Sequence, residues 1–564
     1  MLAVENLKVR FTNFFCFDQA KFHTASFGAL WLLAAWSVQP AFGQTVESPV
    51  IQAEELTDDS YSPADRISSE DHADVSFHSV SHTQASAGQP PAGTGNATAG
   101  QASSPGKAAG EKKEAAKKDA AKKQEELKKK VATAHKPVYY QNDFSYVLDP
   151  AYRGYQLGDA FKRRTLLRQG RYDIGGEYRL QHHSENNMRG LGLTGIDDDF
   201  LLRRTRLFGN FELTKHIRVF SEMIDARSDF ENFAPRLIDV NEYDMLNLFV
   251  DAKLLSSGDQ SLMVRAGRQE LLFGDQRVIS PLDWANTRRT FDGYRFTGKN
   301  KTFSLDGFWT NPITPDARRF DSPDLAQEFM GLYSSYSGRT NETIDLYALR
   351  YLNDRGVNDF EFNTFGSRWN GSEGDFLWDL EGACQLGRNT DGSAHEAGAF
   401  TIGGGRKLSK SESNPILWLY FDWASGADQR GAGNGYHHLF PLAHRFNGFM
   451  DLFGRRNLGD ANALLTFKPQ KKLSMIVWYH YLWLANRNDT PYSVVMTPFN
   501  PGNAPASREL GHELDLLGIY AVTPRQQVQL GFSYFWSGAY YKRTPGVPTD
   551  SDANFLYTQW SLAF

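Results

Sequence analysis

From Gly170 to the C-terminus the chain is written in period two, one stretch after another. In Asp173–Gln181, Ile174, Gly176, Tyr178 and Leu180 alternate with Asp173, Gly175, Glu177, Arg179 and Gln181. The same pattern recurs in Arg204–Leu213, where Thr205, Leu207, Gly209 and Phe211 alternate with Arg204, Arg206, Phe208 and Asn210. It appears again in Leu246–Lys253, Thr302–Thr310, Ile344–Tyr351, Phe376–Gln385, Pro415–Ala424, Leu473–Leu484, Leu514–Tyr520 and Val528–Trp536. Successive side chains of a strand point to opposite faces, so each stretch is a strand with one apolar and one polar side. Connections alternate in length. Leu213–His216, Gly298–Lys301 and Lys468–Lys472 are tight, whereas Pro312–Ala326, Gly426–His444 and Thr497–Arg508 are long and rich in Gly, Pro, Asn and Asp. A propeller would repeat at a fixed period, and none is present.

Mean hydropathy is −0.49 although aromatics make up 13% of the chain. Past residue 43 no run reaches the roughly 18 apolar residues of a spanning helix. If such a chain crosses a membrane it does so with strands, and short turns on one rim with long loops on the other describe an outer-membrane barrel. The last ten residues agree: Leu556, Trp560, Leu562 and the terminal Phe564 share one face with Thr558. That pattern resembles the last-strand signature read by barrel-assembly machinery, which is therefore an expected partner along with outer-membrane lipid. At about 22 residues per strand and connection, 170–564 holds roughly 18 strands, and barrels of about that size keep an aqueous channel. The expected fold is all-β: a transmembrane antiparallel β-barrel of about 18 strands with a disordered and helical N-terminal extension.

The N-terminal part is different in kind. Lys8, Arg10 and Lys21 precede the apolar run Thr24–Val38 and the small residues Ala41 and Gly43. This is the layout of a signal peptide spanning 1–43. The low-complexity extension at 44–136 is expected to be disordered over 45–106. At 107–130 it becomes a solvated helix with 10 Lys against 5 acidic residues and no apolar stripe to dock it. This segment reads either as a spacer or as a periplasmic tether touching cell-wall polymer. The barrel domain is then 137–564, in the bacterial outer membrane.

Residues 137–564 hold 46 basic and 50 acidic side chains, a balance that argues against a nucleic-acid partner. Of those 46 cations 35 are Arg, whereas 1–136 has 13 Lys against 2 Arg. Arg presents a rigid fork matched to carboxylates, so the bias points to oriented cations. They concentrate in Val264–Phe296, where Arg265, Arg268, Arg277, Arg288, Arg289 and Arg295 mix with Glu270, Asp275, Asp283 and Asp292. Leu262, Val264 and Ala266 give an apolar side that runs on into Arg268 and Glu270, which an ordinary core cannot bury. The chain either leaves the wall there and turns its charges into a wet lumen or forms a charged surface loop. Arg204 and Arg206 lie on the polar side of their strand and face the same lumen. Singly each arginine reads as an ion-pair partner, and as a group they set the field of a pore. No nucleophile elbow or phosphate loop is present, and the pairs His182–His183 and His437–His438 lack metal-ligand spacing. No enzyme, cofactor or metal is expected.

The series Gly267-Arg268-Gln269-Glu270, Gly274-Asp275-Gln276-Arg277, Pro281-Leu282-Asp283-Trp284 and Arg289-Thr290-Phe291-Asp292-Gly293 resembles the alginate-export outer-membrane porin family. So does the block running from His438-Leu439-Phe440-Pro441 through His444, Gly448–Gly454 and Asn457-Leu458. The resemblance covers roughly 170–564. It implies an 18-stranded monomeric barrel whose electropositive constriction passes an acidic polysaccharide, with Arg204, Arg206, Arg268, Asp275, Arg277, Arg288, Arg289, Asp292 and Arg295 at the pore. Three functions stay open at this point: export of anionic polysaccharide, passage of small anionic solutes through a general porin, and envelope anchoring through the Lys-rich extension.

Overall fold

The computed structural model describes residues 121–564 apart from 167, 168, 191, 357 and 358. The signal-peptide reading at 1–43, the low-complexity stretch and most of the Lys-rich run lie outside the described residues. A short strand β1 (Arg164–Leu166) lies against the start of β2 (Gly170–Asn186), and from there strands run in chain order to β19 (Ala553–Ala563). Each strand from β2 onward pairs antiparallel with its chain neighbour, and β19 pairs back onto β2 through Asn554↔Asn186 to Ala563↔Glu177. Eighteen strands thus close into a barrel without a free edge, as the alternation predicts. Phe564 completes the seam, its N–H donating to Gly176 O and its carbonyl accepting from Gly176 N–H, both at 2.9 Å.

Connections at 213–216, 258–259, 300–302, 337–341, 374–375, 408–415, 471–472 and 524–525 form one rim, and those at 187–197, 230–240, 270–290, 313–326, 354–359, 389–393, 425–457, 485–508 and 538–552 rise from the other. Two of the two-residue turns, 258–259 and 374–375, open on a glycine at positive φ, Gly258 and Gly374, both at 59°. Large apolar side chains stand exposed around the circumference, among them Leu207, Leu248, Phe296, Trp309, Leu346, Leu419 and Leu530. The opposite face of the same strands carries buried Arg179, Arg204, Arg206, Glu222, Asp251 and Asp379. A polar interior inside an apolar belt suits lipid rather than water. Among the described residues no helix is long and apolar enough to cross a membrane.

Width alone leads one to expect an aqueous lumen, but the chain fills its own. The connections 270–290 and 425–457 leave the long-loop rim, turn inward and pair: Ile279 bridges Phe440 in parallel, Ser280 N–H donates to Phe440 O (2.8 Å), and Phe440 N–H donates to Val278 O (3.0 Å). The loop at 425–457 begins where Gly426 was expected to open it and runs well past His444. From the short-turn end a second filler enters. Residues 121–132 are helical, and Leu127 and Val131 are buried with Ala134, Val138, Tyr139, Tyr140, Phe144 and Tyr146 against the wall residues Phe208, Phe220 and Phe249. The Lys-rich segment was expected to lack a docking stripe; Leu127 supplies one with Val131, which lies just past the run and one helical turn away. A boundary drawn at 137 therefore cuts through a segment that packs as one with the barrel.

The outward belt is directly testable. Leu346 is 56% exposed and stands about a third of the way along its strand. Leu346→Arg is expected to lower stability in vesicles by about 2–4 kcal/mol, read from the urea midpoint, and an unchanged midpoint would deny that this face meets lipid.

Candidate functional site: a lumenal network of arginines and carboxylates

Mid-lumen, the loop 270–290 is clamped to the wall by guanidinium groups. From β2, Arg179 donates to Asp283 O (2.9 Å) and Trp284 O (2.8 Å). From β3 (Asp198–Glu212), Arg204 donates to Glu177 Oε1 (2.7 Å), Asp283 Oδ1 (3.0 Å) and the carbonyls of Asp283 and Ala285. Two residues on, Arg206 lies 2.6 Å from Glu222 and 3.9 Å from both Glu270 and Asp283. Arg288, on the loop itself, donates to Glu270 Oε1 at 2.5 Å and pairs with Asp283. Asn247 donates to Glu222 and Glu270 at 2.9 and 3.0 Å. The period-two rule puts Arg179, Arg204 and Arg206 inward together, and burial makes their partners obligatory. Arg288 is the extreme case: burial, then the neighbouring Arg206, pulls its pKa down to about 10.

A second group ties both loops to the far wall. Arg277 reaches Glu381 (2.6 Å) and Asp379 (3.2 Å) on β12 (Phe376–Arg388) and stacks 4.2 Å over Phe446. Asp275 bridges Arg445 of the other loop and the wall residue Arg368, the latter at 3.5 Å. Arg289 donates to Pro441 O (3.2 Å) and lies over Phe440, and Arg295 pairs with Asp306 (2.8 Å) lower on the wall. Arg268 and Asp292 are placed elsewhere. They face each other across β6 (Gln260–Gln269) and β7 (Phe291–Lys299), and Arg268 also registers with Leu248, which is on the outward face. Arg268 binds Met245 O, Asp321 O and Asp244 at 2.8, 2.5 and 3.4 Å near the long-loop rim. The charge that turns inward where the chain leaves the wall is Glu270, not Arg268, because the strand keeps its alternation through Gln269.

The structure thus gathers Arg204, Arg206, Arg288, Asp275 and Arg277 into the lumenal network, adds Arg289 and Arg295 at its borders, and leaves Arg268 and Asp292 outside. Sequence reasoning did not single out Arg179, Arg368, Arg445, Asp379 or Glu381 as site residues. Arg179 carried the same signal as Arg204, the polar side of a clear strand. Arg445 carried none, since its place depends on how a long loop folds. The pore side chains are also packed by aromatics: Trp284 stacks on His444 (4.2 Å) and His183 (5.3 Å), and His444 Nδ1 is 2.7 Å from Asp451. Among the described residues no cluster of His, Cys, Asp or Glu is arranged to hold a metal.

Backbone strain collects in the same loops. Gln276, Leu282 and Arg288 have φ of 67°, 54° and 62°, and Leu439 has 62°. Left-handed backbone at non-glycine residues costs roughly 1–3 kcal/mol each and persists only where surroundings over-determine it. Gly274, at φ 53°, is required: a Cβ there would lie 2.3 Å from the Tyr333 hydroxyl.

A closed eighteen-strand barrel with an apolar belt, a charged lumen and two inward loops defines an outer-membrane channel protein. The sequence pattern of the family described as alginate export matches residues 171–553, and the chain belongs to that family. No curated protein matches it. Among solved structures it is similar to OccD3 (OpdP) of Pseudomonas aeruginosa, at 14% identity over 69% of this chain and 91% of that one, with a TM-score of 0.47. It is similar also to OccAB1 of Acinetobacter baumannii, at 12% identity over 70% and 96% of the two chains, with a TM-score of 0.48.

Two predictions follow from the charges. Arg288→Met leaves the buried Glu270 and the partly buried Asp283 with a partner lost, and is expected to cost about 3–5 kcal/mol in urea titrations, with Arg288→Met/Glu270→Gln recovering part of it; equal loss in both would remove Arg288 from the network. At the long-loop rim, burial, then Asp239, pushes Glu231 up to about 7 despite Arg189 at 3.3 Å. A carboxyl raised in the folded state stabilises it fully below the ordinary value near 4.5 and loses that contribution as pH rises through about 7. Amides of 230–240 should therefore exchange faster at pH 8 than at pH 5.5 after correction for intrinsic rate, and Glu231→Gln should abolish the difference.

Proposed function

We propose that this protein is an outer-membrane export channel for an acidic polysaccharide of the polyuronate class. The observation that carries the reading is the way the wall arginines are held. Arg204 and Arg206 project inward at mid-height, and Asp283 of the protein's own loop sits in the Arg204 fork at 3.0 Å. On the far wall Asp275 occupies the corresponding place before Arg368. A loop carboxylate in an arginine fork stands where the carboxylate of a uronic acid would bind. When 270–290 moves aside, Arg179, Arg204 and Arg206 keep Glu177 and Glu222 nearby, so the wall attracts an anionic polymer without holding it fast, as conduction requires.

On this reading Arg204, Arg206, Arg277, Arg288, Arg289 and Arg295 set the pore field with Asp275, while Arg268 and Asp292 order the rim. The long-loop rim faces the exterior and the short-turn rim the periplasm, with the signal peptide at 1–43 and the extension at 44–136 leading to it. The barrel works as a monomer, assembled through its C-terminal Phe564, and catalyses nothing.

The test is planar-bilayer recording of the refolded full chain. Under a salt gradient the open events should be anion-selective, and an oligouronate should block them where a neutral maltooligosaccharide of equal length does not. Arg204→Gln/Arg206→Gln should move the reversal potential toward zero and weaken the block at least tenfold. Cation selectivity, or equal block by both sugars, would overturn the reading.

A further inference from the structure

The lumenal arginines have partners that their charge balance does not call for. The Tyr139 ring lies 3.9 Å over the Arg206 guanidinium, and its hydroxyl donates to Glu177 Oε2 at 2.8 Å. The Tyr140 ring lies 4.1 Å over Arg265, and its hydroxyl donates to Glu270 O at 2.7 Å. Three further arginines grip the backbone of the same segment. Arg218 donates to Tyr140 O (2.9 Å), Arg288 to Pro137 O (3.0 Å) and Arg525 to Val131 O (3.3 Å). Both rings are buried, and Phe208, Phe220 and Phe249 stack in a row beneath them, with centroids 6.0 and 5.3 Å apart.

None of these contacts builds the barrel. Strand pairing starts at Arg164, the seam between β19 and β2 closes without the preceding residues, and no described residue of 121–163 takes part in a strand ladder. The barrel is complete without this filler, which precedes the stretch matched by the family pattern, 171–553. It is joined to the wall through Arg153, Gly154 and Tyr155, which are exposed. The surface it covers combines guanidinium groups (Arg206 beside Glu222, with Arg265 and Arg218 both on Asp251), aromatic faces (Phe208, Phe220, Phe249) and the hydroxyl acceptor Glu177. Forks for carboxylate, flat apolar faces for ring C–H groups and a carboxylate for hydroxyls together make a binding surface for an acidic sugar ring.

We infer that residues 127–162 are a built-in stopper, and that Tyr139 and Tyr140 occupy a lumenal subsite for an acidic sugar unit, so that stopper and polymer exclude each other. The sugar class rests on the export reading; the stopper does not.

The experiment keeps the full chain. A protease site is inserted between Gly154 and Tyr155, the protein is folded into planar bilayers, and conductance in KCl is recorded before and after cleavage from the short-turn side. Cleavage should raise the mean conductance severalfold, because the loop 270–290 loses the support that Arg288 takes from Pro137 O and opens more often, and uncut Tyr139→Ala/Tyr140→Ala should raise the open fraction severalfold. A chain shown by gel to be cut, with conductance unchanged and the double variant silent, would overturn the stopper. Block by an oligouronate should then be at least tenfold tighter in the cut chain than in the uncut one, and should weaken again when the cut chain carries Arg206→Gln. Equal block in both would overturn the shared subsite. Because KCl conductance reads the stopper whatever the cargo, a cut channel that opens but ignores oligouronate would count against the export reading alone.

Discussion

The structure depends on one constraint: a guanidinium taken out of water must find an oxygen in the same place. Arg179, Arg204, Arg206 and Arg265 are among the largest fully buried side chains of the described chain, and all four lie inside the barrel. An unpaired charge there would cost several kcal/mol, so the wall cannot stand as an isolated cylinder with dry arginines. It either holds water and ions or holds its own chain. Here the oxygens come partly from wall carboxylates, Glu177, Glu222 and Asp251, and partly from the loop 270–290, which ties that loop to the wall.

That constraint explains why some of the molecule is legible in the sequence and some is not. Strand period is local, so the alternation around Glu177, Arg179, Arg204 and Arg206 gave both the barrel and the inward direction of these side chains. The rims were legible for the same reason, because turn chemistry at Leu213–His216, Gly298–Lys301 and Lys468–Lys472 is local too. The inward folding of 270–290 was readable only as a contradiction: an apolar side that runs into charge. Of the two charges that follow on that side, Glu270 makes the turn and Arg268 stays on the wall. The pairing of Ile279 with Phe440 joins residues 161 positions apart and left no local trace. Val131, one turn past Leu127, was invisible as a docking residue because composition averaged over a Lys-rich run hides two apolar side chains spaced four apart.

Positive backbone angles at Gln276, Leu282, Arg288 and Leu439 add a second layer to the argument. Strain of this kind is retained where a segment has to be held in one arrangement by its neighbours. The wall holders of 270–290 are Arg179, Arg204, Asp379 and Glu381, and those of 425–457 are Asp422, Glu513 and Asp515. Withdrawing one loop would therefore release strain while breaking ion pairs, two terms of opposite sign. An element with such a balance can have two discrete arrangements, the property a gate requires.

The two fillers differ in how they are held, and that difference orders their release. The loop 270–290 is fixed by charged pairs on three sides, through Arg204, Arg206 and Arg277. The segment around Tyr139 and Tyr140 is fixed by ring stacking and by arginine bonds to backbone carbonyls, with Tyr139 touching a carboxylate only through its hydroxyl. Neutral partners give guanidinium groups less than carboxylates do, so an incoming polyanion displaces tyrosine and carbonyl from Arg206, Arg218 and Arg265 more easily than it displaces Asp283 from Arg204. Arg288 links the two, holding Pro137 O with one nitrogen and Glu270 with another. Loss of the stopper therefore removes a support from the loop above it. On the export reading proposed above, a polymer arriving at the short-turn end would meet the weaker barrier first and, by removing it, loosen the stronger one.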